Sequence, residues 1–129
     1  MILLDTCALL WLANGSDNLS PSAQELLREN AGSLFASAFS AWEIALKHRS
    51  GKLELPRDTP AKWFAAVLAQ HGLIEIPVDS RIAAASVALP PLHTDPADRI
   101  LIATAQTQGL TLLTPDALIR QYPELKTAW

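Results

Sequence analysis

Four short apolar runs alternate along this chain with longer segments patterned for helices. The runs are Ile2-Leu3-Leu4, Ser33–Ser37, Leu73–Val78 and Leu110–Thr114. Apolar strands separated by helices indicate a parallel sheet covered on both faces. The expected fold class is therefore α/β: a three-layer α/β/α sandwich with a central, mostly parallel sheet. Local signals place the helices between the runs. Asp5 or Thr6 caps a first helix through Cys7–Ala13, and Ser20-Pro21 opens a second that continues to Asn30. A third runs from Phe39 or Ser40 through Lys47 and stops near Gly51. Thr59-Pro60 starts a fourth, closed by Gly72. An alanine-rich helix spans Arg81–Leu89 and ends at Pro90-Pro91. Asp95-Pro96-Ala97-Asp98 is a strong helix start, with an N-cap acid, a first-position proline and a further acid in the first turn; Gly109 ends that helix. Pro115–Arg120 reads as a turn into a short helix, and Leu125–Trp129 as a short edge strand.

A chain of 129 residues, half hydrophobic and 18% charged, has the length and apolar content for one cored domain, 1–129, with neither repeat nor linker. Its single cysteine, Cys7, leaves no internal disulfide and suits a reducing compartment. In an apolar run it is expected to behave as a small buried hydrophobe. Asp5 interrupts the N-terminal apolar segment, which has no basic flank, so a signal peptide is not expected. Ile82–Leu92, broken by Ser86 and Pro90-Pro91, is too short to span a bilayer. The expectation is a cytoplasmic protein without a membrane partner. A net charge of −3 does not announce nucleic-acid binding, yet Lys47, His48, Arg49, Lys52 and Arg57 crowd one short segment beside Glu43. Alone, that cluster is explained by the dipole at a helix C-terminus.

Four acids take positions that such a sheet would bring together. Asp5 closes the first strand, and Asp116 lies just past the fourth. Glu43 sits on the helix after the second strand, and Asp98 in the first turn of the helix before the fourth. In open parallel sheets ligands bind outside the carboxyl ends of the strands. Each acid has an ordinary explanation as a cap, a dipole partner, an i,i+4 partner of Lys47, or a turn residue. Gathered in one crevice they repel one another unless a cation intervenes. Oxygen ligands without clustered His or Cys suit Mg²⁺ or Mn²⁺ rather than zinc, and such a site fits phosphodiester hydrolysis.

Asp5-Thr6 after a strand, Trp42-Glu43-Ile44 on a helix, His93–Arg99 followed by Ile102-Ala103-Thr104-Ala105, and Leu113-Thr114-Pro115-Asp116 together resemble the PIN-domain family. Within it the chain is similar to the VapC-like toxins of bacterial toxin–antitoxin modules, over essentially its whole length. The resemblance implies a Mg²⁺- or Mn²⁺-dependent endoribonuclease with Asp5 and Asp98 as its most regular metal-binding acids. It makes Glu43 the helix-borne glutamate and Asp116 a fourth, more variable acid. Thr6 and Thr114 are implied to hold the geometry. It further implies a homodimer and a cognate VapB-like antitoxin lying across the site. Counting back from Ala103-Thr104-Ala105 makes Asp98, not Asp95, the site acid. Arg99 is expected either to pair with a carboxylate or to contact phosphate, and His93 to be a hydrogen-bonded structural residue or a contributor to chemistry. Beside such a site, Lys47, Arg49 and Lys52 become candidate RNA contacts. The tryptophans read mainly as core or interface residues, with base stacking the alternative, and Leu9–Leu12 as a candidate partner face.

Two other functions fit the same pattern less well. A non-catalytic PIN-like RNA- or protein-binding scaffold would have no need for all four acids. A phosphoacceptor receiver domain would show an acidic pair after the first strand and a lysine after a later one; neither is present.

Overall fold

The computed structural model describes residues 1–56 and 59–129. Strand β1 is Ile2–Leu4, followed by helices α1 (Thr6–Asn14) and α2 (Pro21–Glu29), then β2 (Leu34–Ser37). Helices α3 (Ala38–Arg49) and α4 (Pro60–His71) lead to β3 (Leu73–Ile76). Helices α5 (Ser80–Ala88) and α6 (Pro96–Gln108) lead to β4 (Thr111–Leu113). A 3₁₀ turn at Ile119–Gln121 and a final strand β5 (Thr127–Ala128) complete the described chain. The sheet order is β3-β2-β1-β4-β5, and every pairing is parallel. The expected α/β sandwich is thus found, with the C-terminal tail supplying the edge strand.

Side chains alternate across a strand, so β1 feeds two cores. Ile2 and Leu4 pack with Leu34, Ala36 and the inward faces of α1, α2 and α4, where Leu9, Leu27, Phe64 and Val67 lie. Leu3 and Leu112 face the other way, against Leu101, Ile102 and Ala105 of α6. Both faces of the central strands are covered, which is why their sequence is apolar without a break. Truncating a fully buried side chain here, such as Ile102, would cost about 2–5 kcal/mol.

Local chemistry shifts several boundaries. Ser37 ends β2 in extended backbone, and its hydroxyl accepts from Phe39 N at 3.0 Å, so α3 begins directly at Ala38 instead of at Phe39 or Ser40. Asp79 caps α5 by accepting from Ile82 N at 2.9 Å, which starts that helix at Ser80. Pro77 has no N–H to lend the ladder, and β3 stops at Ile76. Gly72, at φ 66°, turns the end of α4 straight into β3, a conformation costly for any residue with a Cβ.

The chain builds β1, β2 and β3 outward in one direction, then returns to lay β4 on the opposite side of β1. The β1/β4 pair is therefore the switch in strand order, and the crevice at its carboxyl end is the natural place for a ligand. Asp5 directly follows β1, and Asp116 follows β4.

Candidate active site

Asp5 is only 5% exposed. It caps α1, accepting from Ala8 N at 2.7 Å. Burial lifts its pKa from 3.8 to about 6, and the charges of Glu43 and Asp116 add to the rise. Hydrogen bonds from the Thr114 hydroxyl and from Ala8 N oppose it without cancelling it. Thr114 is fully buried, and its Oγ1 also accepts from Asp116 N at 3.1 Å. One threonine thus ties the end of β1 to the turn after β4.

Glu43 is anchored through α1. Thr6 Oγ1 donates to Glu43 Oε1 at 2.6 Å and lies 2.9 Å from Ser40 Oγ. Because the single Thr6 hydroxyl proton goes to Glu43, Ser40 is the donor in the second bond. Burial raises the Glu43 pKa, opposed by the Thr6 bond and by Lys47, with Asp95 adding to the rise. Asp98 stands in the first turn of α6, where Asp95 is the N-cap, accepting from Ala97 N at 2.9 Å. Desolvation raises the Asp98 pKa to about 7, with Asp95 next among the causes. His93 pulls the other way, while Glu43 and Asp116 push it further up. Asp116 Oδ1 accepts from Leu118 N at 2.8 Å and Ile119 N at 3.2 Å.

Asp5 and Asp98 each feel the charges of Glu43 and Asp116, so the four acids gather at one crevice. The tightest group within it is Asp98, Asp116 and His93, each offering one ligand-type atom within 4.8 Å of the others. His93 Nε2 lies 3.0 Å from Asp98 Oδ2 and 3.3 Å from Asp116 Oδ2. Tyr122, absent from the sequence-based site, holds the backbone beneath that ring: its hydroxyl accepts from His93 N at 2.8 Å. Ser40 is the other addition. A serine one turn before Glu43 was the only sequence signal for it, and nothing in the sequence pointed to Tyr122.

Two expectations need correction. Among the described residues Arg99 pairs with no carboxylate. Its guanidinium donates to the carbonyls of Leu89 at 2.9 Å, Pro90 at 3.0 Å and His93 at 3.0 Å, so it organises the loop before α6. The arginine side chain is directed back along α6 toward carbonyls that α5 and its proline-broken end leave unpaired. Cys7 is exposed and not buried, because the first turn of α1 directs it away from the core. Partial desolvation and the charge of Asp5 raise its thiol pKa, which keeps it protonated and unreactive. Within the basic segment, Lys47 is half-buried and its charge acts on Glu43, whereas Arg49 and Lys52 are exposed at and beyond the end of α3. Arg57 lies outside the described residues.

Trp63 belongs to the core, and Trp11 packs on Trp129 with ring centroids 5.6 Å apart. Trp42 is 53% exposed and stacks on Phe39 at 4.9 Å.

A family model for the PIN domain matches residues 2–125. The chain belongs to the PIN domain family. This PIN domain is 31% identical to Ribonuclease VapC22 of Mycobacterium tuberculosis over 99% of its own length and 98% of that protein's. Its fold is similar to that in the crystal structure of VapBC2 from Rickettsia felis bound to a promoter DNA fragment. There the TM-score is 0.73 at 15% identity, covering 99% of this chain and 98% of the other. A toxin–antitoxin complex from Klebsiella pneumoniae gives a TM-score of 0.68 at 21% identity, covering 100% and 97%.

Proposed function

We propose that this PIN domain is a Mg²⁺- or Mn²⁺-dependent endoribonuclease and the toxin of a toxin–antitoxin pair. The observation that carries the proposal is the convergence of Asp5, Glu43, Asp98 and Asp116 on one crevice, where burial first and neighbouring charges second raise the pKa values of Asp5, Glu43 and Asp98. A hard divalent cation is the species that returns such a set to its ionised form, and an all-carboxylate oxygen set fits Mg²⁺ or Mn²⁺. Asp5 and Asp98 would hold the ion, with Glu43 beside them and Asp116 acting through water. When bound, it supplies charge stabilisation at a scissile phosphate and an activated water. Thr6 keeps Glu43 turned toward the crevice, and Thr114 keeps Asp5 and Asp116 in register. Lys47, Arg49 and Lys52 contribute phosphate contacts along and just beyond α3. The likeness to a protein named as a ribonuclease supports RNA as the substrate.

Relatives of this fold have been solved as VapBC and toxin–antitoxin complexes, which supports a VapB-like antitoxin as partner. A cleft of about 270 Å³ between α1 and α4, lined by Leu10, Trp63 and Val67 together with Asn14, Glu54 and Gln70, offers such a partner a mixed polar and apolar groove. For a homodimer, the supporting feature is exposed apolar surface: Trp42 and Leu46 on α3, and Val87 on α5, 81% exposed. Cytoplasmic location fits a chain in which no described helix is long and apolar enough to cross a membrane.

The test is cleavage of single-stranded RNA by the purified protein after chelation and after restoring Mg²⁺ or Mn²⁺, with the product ends read by mass spectrometry. Metal-dependent cleavage without 2′,3′-cyclic phosphate ends is expected, since water and not the 2′-hydroxyl attacks. Cleavage that persists in chelator, or cyclic phosphate products, would refute the proposal.

A further inference from the structure

We infer, on the premise of the metal site proposed above, that His93 is a positioning residue which bridges Asp98 and Asp116 as an Nε2–H donor and does not itself bind the metal. A histidine within 4.8 Å of two aspartate oxygens invites reading as a third ligand. The other ring nitrogen decides against it. Asp95 N–H points at His93 Nδ1 at 3.1 Å, so Nδ1 is the acceptor and the ring proton sits on Nε2. Ligation through Nε2 would require its lone pair and move the proton to Nδ1, setting that N–H against the N–H of Asp95. The N-cap residue of α6 thereby fixes the histidine tautomer.

With its proton on Nε2, the ring hydrogen-bonds Asp116 Oδ2 at 3.3 Å and stands in ion-pair contact with Asp98 Oδ2 at 3.0 Å. Asp116 Oδ1 is already taken by Leu118 N and Ile119 N. Both Asp116 oxygens are therefore committed to the protein, whereas among the described residues no donor reaches Asp98 Oδ1. That oxygen is left to face a cation. The ring is held from behind by Tyr122 Oη on His93 N and by Arg99 on His93 O, at 2.8 Å and 3.0 Å. Arg99 follows Asp98 on α6, so the clamp on the histidine and the carboxylate it orients move as one body. Partners of this type in metal sites typically govern affinity by about 10–100-fold without touching the ion.

The experiment measures Mn²⁺ affinity by electron paramagnetic resonance for the wild type, His93→Ala, His93→Gln and His93→Asn, with circular dichroism to check the fold. The glutamine amide reaches about as far as imidazole Nε2, and the asparagine amide only as far as Nδ1. We expect Mn²⁺ binding about tenfold or more weaker in His93→Ala and His93→Asn, and restored to within about threefold in His93→Gln. Spin-echo modulation of the wild-type Mn²⁺ complex should show no directly bound histidine nitrogen. A bound-nitrogen signal that disappears in His93→Ala would make His93 a ligand and overturn the inference, as would unchanged affinity in His93→Ala. Equal loss in the folded Gln and Ala variants would likewise overturn it. Failure of the wild type to bind Mn²⁺ at all would instead remove the metal site itself, and the inference with it.

Discussion

Replacing Asp5 by Asn should stabilise the metal-free protein while abolishing its activity. Asn is as good an N-cap as Asp, so the bond from Ala8 N survives the change. The substitution removes a buried negative charge that the fold tolerates poorly. Lifting Asp5 from 3.8 to about 6 corresponds to about 3 kcal/mol of stability withheld once the group is ionised in both states. Well below pH 3.8 the carboxyl is protonated folded or unfolded, and the penalty is absent. Between about pH 4 and pH 6 the unfolded chain has released its proton while the folded chain keeps it, so stability falls as pH rises. Above that window the penalty is constant. Urea unfolding in chelator at pH 4 and pH 7.5 tests this directly. Asp5→Asn should exceed the wild type by only about 0.5 kcal/mol at pH 4 and by up to about 3 kcal/mol at pH 7.5, the latter roughly 10 °C in Tm. Added Mn²⁺ should then stabilise the wild type and not the variant. A variant less stable than the wild type at pH 7.5, or a wild type whose stability is flat across the window, would refute the reasoning.

Other consequences follow from the same geometry. Metal affinity should weaken as pH falls below about 7, because Asp98 then keeps its proton; calorimetric titration at pH 6, 7 and 8 should show it, and a pH-independent affinity would count against it. Thr6→Val removes the donor that orients Glu43, and should lower RNA cleavage by about 10–100-fold with the circular dichroism spectrum unchanged. Replacing two of Lys47, Arg49 and Lys52 by Ala should weaken cleavage more as salt is lowered toward the range where the wild type binds best. An unchanged rate at both low and moderate salt would dismiss those side chains as RNA contacts.

The sheet was legible because its strands are apolar on both faces and its helices carry explicit caps; Ser20-Pro21, Thr59-Pro60 and Asp95-Pro96 all open helices as expected. The positions of Asp5 and Asp116 at strand ends were legible for the same reason, since a strand's end fixes the crevice its next residue faces. Asp95 and Asp98 could be separated by role, because an N-cap acid bends back to its own helix. What the sequence could not show depends on contacts between distant segments. His93 meets Asp116 and Tyr122 across a span of more than twenty residues, and no local pattern encodes that approach. The target of Arg99 depends on where α5 ends its carbonyls. The exposure of Cys7 depends on the rotation of α1, which is set by which residues of its first turn face the sheet.

The central claim is that these carboxylates hold a cation used to cut RNA. Its most direct measurement is the cleavage rate of wild type and Asp98→Asn on one single-stranded RNA, each stripped with chelator and then given Mn²⁺ in steps. Saturable, Mn²⁺-dependent cleavage by the wild type, with a folded Asp98→Asn inactive at every Mn²⁺ concentration, is the predicted result. A folded Asp98→Asn that cuts at the wild-type rate would contradict the account.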